Sequence, residues 1–134
     1  MPNNANSFFG SNEADKMFNL TGSSGVSRFY YRGGGSGRYD IPITIGTIHT
    51  YVCGRNFIVD GELKRTFNVP DFSSSVNALL FARQNASTVN DKLYGRIYWL
   101  KIEESGVLIR DFIPVRFTNE QGMNEGAMYD LVSN

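Results

Sequence analysis

Apolar and polar residues alternate along this chain in short runs, and no apolar period of helical spacing lasts more than two turns. Residues 26–32 alternate imperfectly and stop at residues 33–37, a stretch with Gly33, Gly34, Gly35 and Gly37. Such a stretch is costly to order inside a strand and is expected to form a surface loop. Residues 38–45 resume as a strand, with Pro42 at an edge or bulge. Residues 48–53 follow, with Ile48, Thr50 and Val52 on one face and His49, Tyr51 and Cys53 on the other. Residues 57–59 then meet Asp60-Gly61, a strong two-residue hairpin signal, and residues 63–69 return. Upstream, residues 7–9 and 16–20 read as two short strands around a polar loop.

Residues 70–75 read as a linker inside the domain. Residues 78–82 are continuously apolar, which suggests a strand buried on both faces, with helix as the competing reading. Residues 97–103, a turn at 104–106 and residues 107–113 predict one long antiparallel hairpin. Tyr98, Leu100 and Ile102 share a face and, with Phe112, are expected to be core, while Trp99, Lys101 and Glu103 take the wetter side. Pro114 is expected to stop that ladder, and residues 127–132 to supply a last strand. Two sheets packed face to face would bury this pattern.

Composition points the same way. Val, Ile and Thr number 25 and the aromatics 18, against 14 Ala plus Leu, while 14 Gly and 13 Asn supply turn chemistry. The 134 residues suit one domain spanning 1–134. Thirteen basic and thirteen acidic residues leave no positive excess, which argues against nucleic acid as a partner. No apolar run is long enough to span a bilayer, and residues 1–4 do not open a signal peptide.

Little in the sequence suggests catalysis. Arg110 and Asp111 are neighbours on a strand and point to opposite faces, so bracing roles are expected for both rather than acid–base work. Glu103-Glu104 lies at a hairpin tip and lacks the paired geometry that glycoside hydrolysis needs. His49 and Cys53, four strand residues apart, are too distant to share a zinc ion. The glycine run is not followed by a Lys-Ser/Thr pair or a helix, so it does not read as a phosphate cradle. Asp40, Asp71, Asn90-Asp91 and Asn119-Glu120 offer loop oxygens without a dense ligand string. The cofactor expectation is therefore none, with calcium left open. Among the aromatics, Trp99, Tyr30, Tyr31 and Tyr39 are candidates for stacking on a sugar. The best candidate ligand site is the loop 32–40, with Arg32, Arg38, Tyr39 and Asp40, together with Trp99.

A resemblance rests on three segments: Arg96-Ile97-Tyr98-Trp99-Leu100-Lys101-Ile102, then residues 106–116 with Arg110-Asp111-Phe112-Ile113-Pro114, then Gly126-Ala127-Met128-Tyr129-Asp130. They resemble the concanavalin A-like, or laminin-G-like, jelly-roll domains of gut-bacterial surface proteins and of phage structural proteins such as tail fibres. Ser7-Phe8-Phe9-Gly10, Thr50-Tyr51, Val59-Asp60-Gly61-Glu62 and residues 80–85 sit in the order such domains use. About three quarters of the chain is covered. The first and last strands of the family pattern are not matched, so a truncation at both ends is compatible.

The resemblance implies an all-β, two-sheet antiparallel jelly-roll sandwich. Asp60, Gly61, Arg110, Asp111, Pro114, Tyr129 and Asp130 would then be structural. It also implies a virion or bacterial cell-surface location and a non-catalytic binding or structural module. That module would recognise carbohydrate weakly through the 32–40 loop and Trp99, with a glycan or a protein as ligand. A purely architectural oligomerisation domain is the alternative, and a glucanase-type hydrolase a further one. The unmatched strands would leave a sheet edge for a second copy or for parent-protein strands to cover.

Overall fold

The computed structural model describes residues 6–33, 37–90, 92–93 and 95–133. The chain divides into two units, Met1–Gly95 and Arg96–Asn134. In the first, β1 (Asn6–Glu13), β2 (Lys16–Ser23), β3 (Val26–Gly33) and β4 (Arg38–Pro42) run as an antiparallel meander. Positive backbone φ angles at Ala14, and at Ser24 and Gly25, make its first two turns tight. A second sheet holds β5 (Tyr51–Val52), β6 (Asn56–Val59) and β7 (Glu62–Thr66). Its β6–β7 turn is Asp60-Gly61, both at positive φ, a conformation that Asp tolerates and that Gly, lacking a Cβ, adopts freely.

The core of this unit lies between those two sheets. Leu20 and Phe29 from the meander meet Phe57, Val59 and Phe67, and Phe29 stacks on Phe57 with ring centroids 4.9 Å apart. Alternation explains the selection. Register places Phe18 beside Tyr31, Leu20 beside Phe29 and Phe29 beside Tyr39, so one face of the meander is almost wholly aromatic or aliphatic. Ser27 shares that face and stays buried because its hydroxyl lies 2.8 Å from the Tyr51 hydroxyl. On the other face Asn19 is fully buried in β2, where the Ser7 hydroxyl donates to its Oδ1 at 2.6 Å.

β8 (Leu79–Leu80), β9 (Arg83–Asn85) and β10 (Thr88–Asn90) complete a seven-stranded sheet in the order β10-β9-β1-β2-β3-β4, with β8 pairing β1 off that path. The expected concanavalin A-like, two-sheet antiparallel jelly roll is not what forms. The described residues form three sheets, and β9 runs parallel to β1. The cause is local. β8 pairs antiparallel with β1 at Phe9 and Gly10, then Phe81 adopts φ 61° and reverses the chain. β9 therefore comes back alongside Ser11 and Asn12 in the opposite sense. Residues 78–82 are thus neither a doubly buried strand nor a helix; Ala82 is buried while Phe81 is 39% exposed.

The second unit is one antiparallel sheet: β11 (Leu100–Glu104), β12 (Val107–Thr118) and β13 (Asn124–Asp130). The expected hairpin is present, turning at Ser105 and Gly106, although its first arm begins at Leu100. Pro114 ends only half of the ladder. β11 pairs no further than Phe112, but β12 continues through Pro114, which pairs Met128 on β13. The missing N–H is tolerated there because β12 has lost its neighbour on the β11 side. The expected core of Tyr98, Leu100, Ile102 and Phe112 does not form: Tyr98 is 51% and Ile102 41% exposed. A three-stranded sheet has two faces and, by itself, no second layer to cover either one.

Candidate functional site

The first candidate residues cluster where β3 and β4 pair. The register sets Arg28 opposite Asp40 and Tyr30 opposite Arg38, so these four side chains share the face turned away from the core. The Asp40 carboxylate accepts from Arg38 Nε at 2.6 Å and from Arg28 Nε at 3.1 Å. The Arg38 guanidinium also lies 5.9 Å from the centroid of the Tyr30 ring. Arg38 is the main reason that the Asp40 carboxyl is held below the usual carboxylate range, with Arg28 adding to it against the opposing effect of partial burial. Asp40 in turn pushes Arg38 further toward its protonated form. The patch is a cation-rich surface network in which the one acid is fully engaged.

The other proposed site residues lie elsewhere. Tyr39 sits on the opposite face of β4 and packs edge-on against Phe57, with centroids 6.3 Å apart, so it belongs to the core and not to a ligand floor. Arg32 donates to the Ala14 carbonyl at 3.3 Å, across the turn from β1 to β2. Trp99 is 50% exposed and belongs to the second unit. Of the glycine run, residues 34–36 lie outside the described residues. Gly37 accepts from the Tyr31 N–H at 2.9 Å, and a Cβ there would lie 1.8 Å from the Tyr31 carbonyl oxygen, which requires glycine.

The residues expected to be structural in the second unit sit along the β11–β12–β13 ladder. Arg110 Nε lies 3.5 Å from Asp130 Oδ2, and Lys101 Nζ 3.3 Å from Asp111 Oδ2 across the β11–β12 ladder. The Asp130 carboxylate accepts the backbone N–H groups of Asp111 and Val132, each at 3.0 Å, and a bond from the Ser133 hydroxyl. The Asp111 bond leads the effects that hold the Asp130 carboxyl below its ordinary range. Asp130 thus caps the end of β13 against β12. Tyr129 pairs Ile113 and Pro114 pairs Met128 in the same ladder.

Among the described residues no group of three or more His, Cys, Asp or Glu is placed to hold a metal ion. Of the calcium candidates, Asp40 is committed to two arginines, and Asp71 forms an ion pair with Arg55. Asn119 accepts from the Gln121 and Met123 N–H groups to close its own loop. Asp91 lies outside the described residues. Cys53 packs against the core, where burial pushes its thiol well up from its ordinary value and keeps it protonated. Among the described residues no helix is long and apolar enough to cross a membrane.

Arg28 escaped the sequence reading, although its signal was present. Arg28, Tyr30 and Arg32 alternate along β3, and the Arg38-Tyr39-Asp40 return puts two of its three residues on that same face.

Comparison with known proteins adds no family. No family model, no curated protein and no solved structure matches the chain. Together with the three-sheet topology, this overturns the resemblance to concanavalin A-like or laminin-G-like domains, and the tail-fibre and lectin associations that came with it.

Proposed function

We propose that the chain is a non-catalytic structural module that acts by self-assembly, joining the C-terminal sheet of one copy to that of another. The observation that carries this reading is the exposure of the second unit. Among its described residues none is buried, while Trp99, Val107, Phe117, Met123, Tyr129 and Leu131 are each 42% or more exposed. Large apolar side chains left in water favour association, and three strands are close to the minimum for an independent sheet, so pairing that widens it adds stability.

The edge strands indicate the partner. β4 carries Arg38, Asp40 and Pro42, β7 carries Glu62, Lys64 and Arg65, β11 carries Lys101, Glu103 and Glu104, and the edges β5 and β10 are only two and three residues long. Charges, proline and very short edges of this kind discourage strand addition. β13 has none of these guards except two acids, and both are tied back into its own sheet. Glu125 accepts from Asn119 Nδ2 at 2.5 Å, and Asp130 is held by Arg110 and the Asp111 N–H. Its seven residues keep unbroken register with β12.

Two copies of β13 pairing antiparallel about Ala127 would set Glu125 against Tyr129 and Asn124 against Asp130. No like charges would meet, and Gly126 and Ala127 would let the backbones approach. The contact is self-complementary about a two-fold axis, as closed dimers require.

The non-catalytic part rests on how the reactive groups are used. Asp40, Asp60, Asp111 and Asp130 are each engaged by a cation or by backbone N–H groups, and the half-buried Cys53 thiol packs against the core and is held protonated. Sedimentation velocity at about 0.1 mM tests the reading, since dimers of even micromolar affinity are then well populated. A dimer is expected. Ala127→Lys would place like charges face to face across the axis and should return the chain to a monomer with unchanged circular dichroism. A wild-type chain that sediments as a strict monomer would overturn the proposal.

A further inference from the structure

His49 is the chain's sole histidine, and its side chain is only 15% exposed. Its Nδ1 lies 2.8 Å from Asp60 Oδ2, and its Nε2 lies 3.2 Å from the backbone carbonyl oxygen of Thr44. An ionised carboxylate and a carbonyl can only accept hydrogen bonds. A neutral imidazole has one N–H, so either tautomer turns a nitrogen lone pair toward an acceptor oxygen. Only the imidazolium donates at both ends.

The two acceptors belong to different parts of the first unit. Asp60 is the first residue of the β6–β7 turn. Its carboxylate is aimed by a second set of bonds, accepting from the Thr50 N–H at 2.8 Å and the Thr50 hydroxyl at 3.3 Å. Thr44 lies in the connection from β4 to β5, beside Ile45 and Ile48, which are 76% and 65% exposed. That connection has few other ties. A Thr47 N–H to Thr44 carbonyl bond at 3.4 Å is long, and the firm backbone bonds lie at its ends, at Ile43 and Thr50.

Two titratable groups face the ring, Asp60 and Tyr51. Asp60 is a carboxylate throughout the neutral range, its carboxyl lowered chiefly by the His49 bond itself. The Tyr51 ring lies 6.4 Å from the imidazole, centroid to centroid. Burial pushes its hydroxyl further up, so it stays neutral while histidine titrates.

We propose that His49 is a pH-operated latch: as imidazolium it pins the apolar connection at Thr44 to the β6–β7 turn, and on losing its proton it releases that connection. The inference is independent of the assembly reading, since it lies wholly within the first unit. The hydrogen bond to Asp60 raises the folded-state value of His49 above its ordinary one. The latch is therefore fully closed below about pH 6.5 and opens as pH rises through the folded value.

Nuclear magnetic resonance on the whole chain from about pH 5 to pH 9, spanning the histidine range, tests it. Both His49 ring nitrogens should be protonated at the acid end, with a midpoint above about 6.5. Hydrogen-exchange protection at residues 44–48, corrected for intrinsic exchange, should fall across that same midpoint. Asp60→Asn tolerates the left-handed turn conformation and still accepts from Thr50, so it should fold and lower the midpoint. His49→Gln should abolish the step in protection. A midpoint at or below the ordinary value, protection that ignores the titration, or a step that survives His49→Gln would overturn the proposal.

Discussion

Phe29 and Tyr129 both sit in continuous antiparallel ladders, yet Phe29 is 0% and Tyr129 42% exposed. The difference is not in the strands, since β12 is the longest in the chain and β13 keeps perfect register with it. It lies in what faces them. The meander has the β5–β7 sheet to close over its aromatic side, and Leu20, Phe29, Phe57, Val59 and Phe67 form a buried apolar cluster there. The second unit consists of a single sheet and has no such lid of its own. Hydrogen-bonded ladders are common to both regions, so the comparison isolates layer-on-layer burial as what the first unit has and the second unit's own strands do not supply.

The largest expected contrast is in core truncation. Phe29→Ala removes a ring packed on Phe18, Phe57 and Phe67 and should cost about 3–5 kcal/mol in denaturant unfolding. Ile102→Ala, a comparable apolar deletion in β11, should cost less than about 1 kcal/mol in dilute solution because little burial is lost. Equal losses at the two sites would break the comparison.

A smaller effect comes from acid. Asp130 has its carboxyl lowered in the folded chain, so its contribution to holding β13 on β12 is present above the unfolded value of about 3.9. That contribution is lost as pH falls through the folded value below it. Trp99 is the only tryptophan and lies in the second unit. Its fluorescence should change at a higher pH than the near-ultraviolet dichroism of the Phe and Tyr core, and a shared transition would count against two separate stabilities.

The local features of this fold were legible, and the non-local ones were not. Asp60-Gly61 and Ser105-Gly106 announce their hairpins because turn chemistry acts over two residues. Alternation also says correctly that Leu100 and Ile102 share a face, but it cannot say whether anything covers that face, which is why the expected core there failed. The parallel return of β9 hinges on one residue, Phe81, at a positive φ that a phenylalanine does not advertise.

The candidate site divided in the same way. Arg38 and Asp40 meet because they are two apart on one strand, whereas Tyr39 between them was bound to face the core. The link from His49 to Asp60 needed the register of β5 on β6, which brings Tyr51 beside Val59 and so sets the preceding and following residues near each other. Neither residue type at its own position signals that pairing.

Native-state hydrogen exchange, read residue by residue at about 1 μM and about 0.5 mM, tests the central claim most directly, because global and local opening are separated at each amide. Amides of β1 to β3 should be strongly protected to the same degree at both concentrations. Those of β12 and β13 should be weakly protected at the lower concentration and gain protection at the higher one by mass action. Protection in β12 and β13 that matches the meander and does not change with concentration would contradict the account.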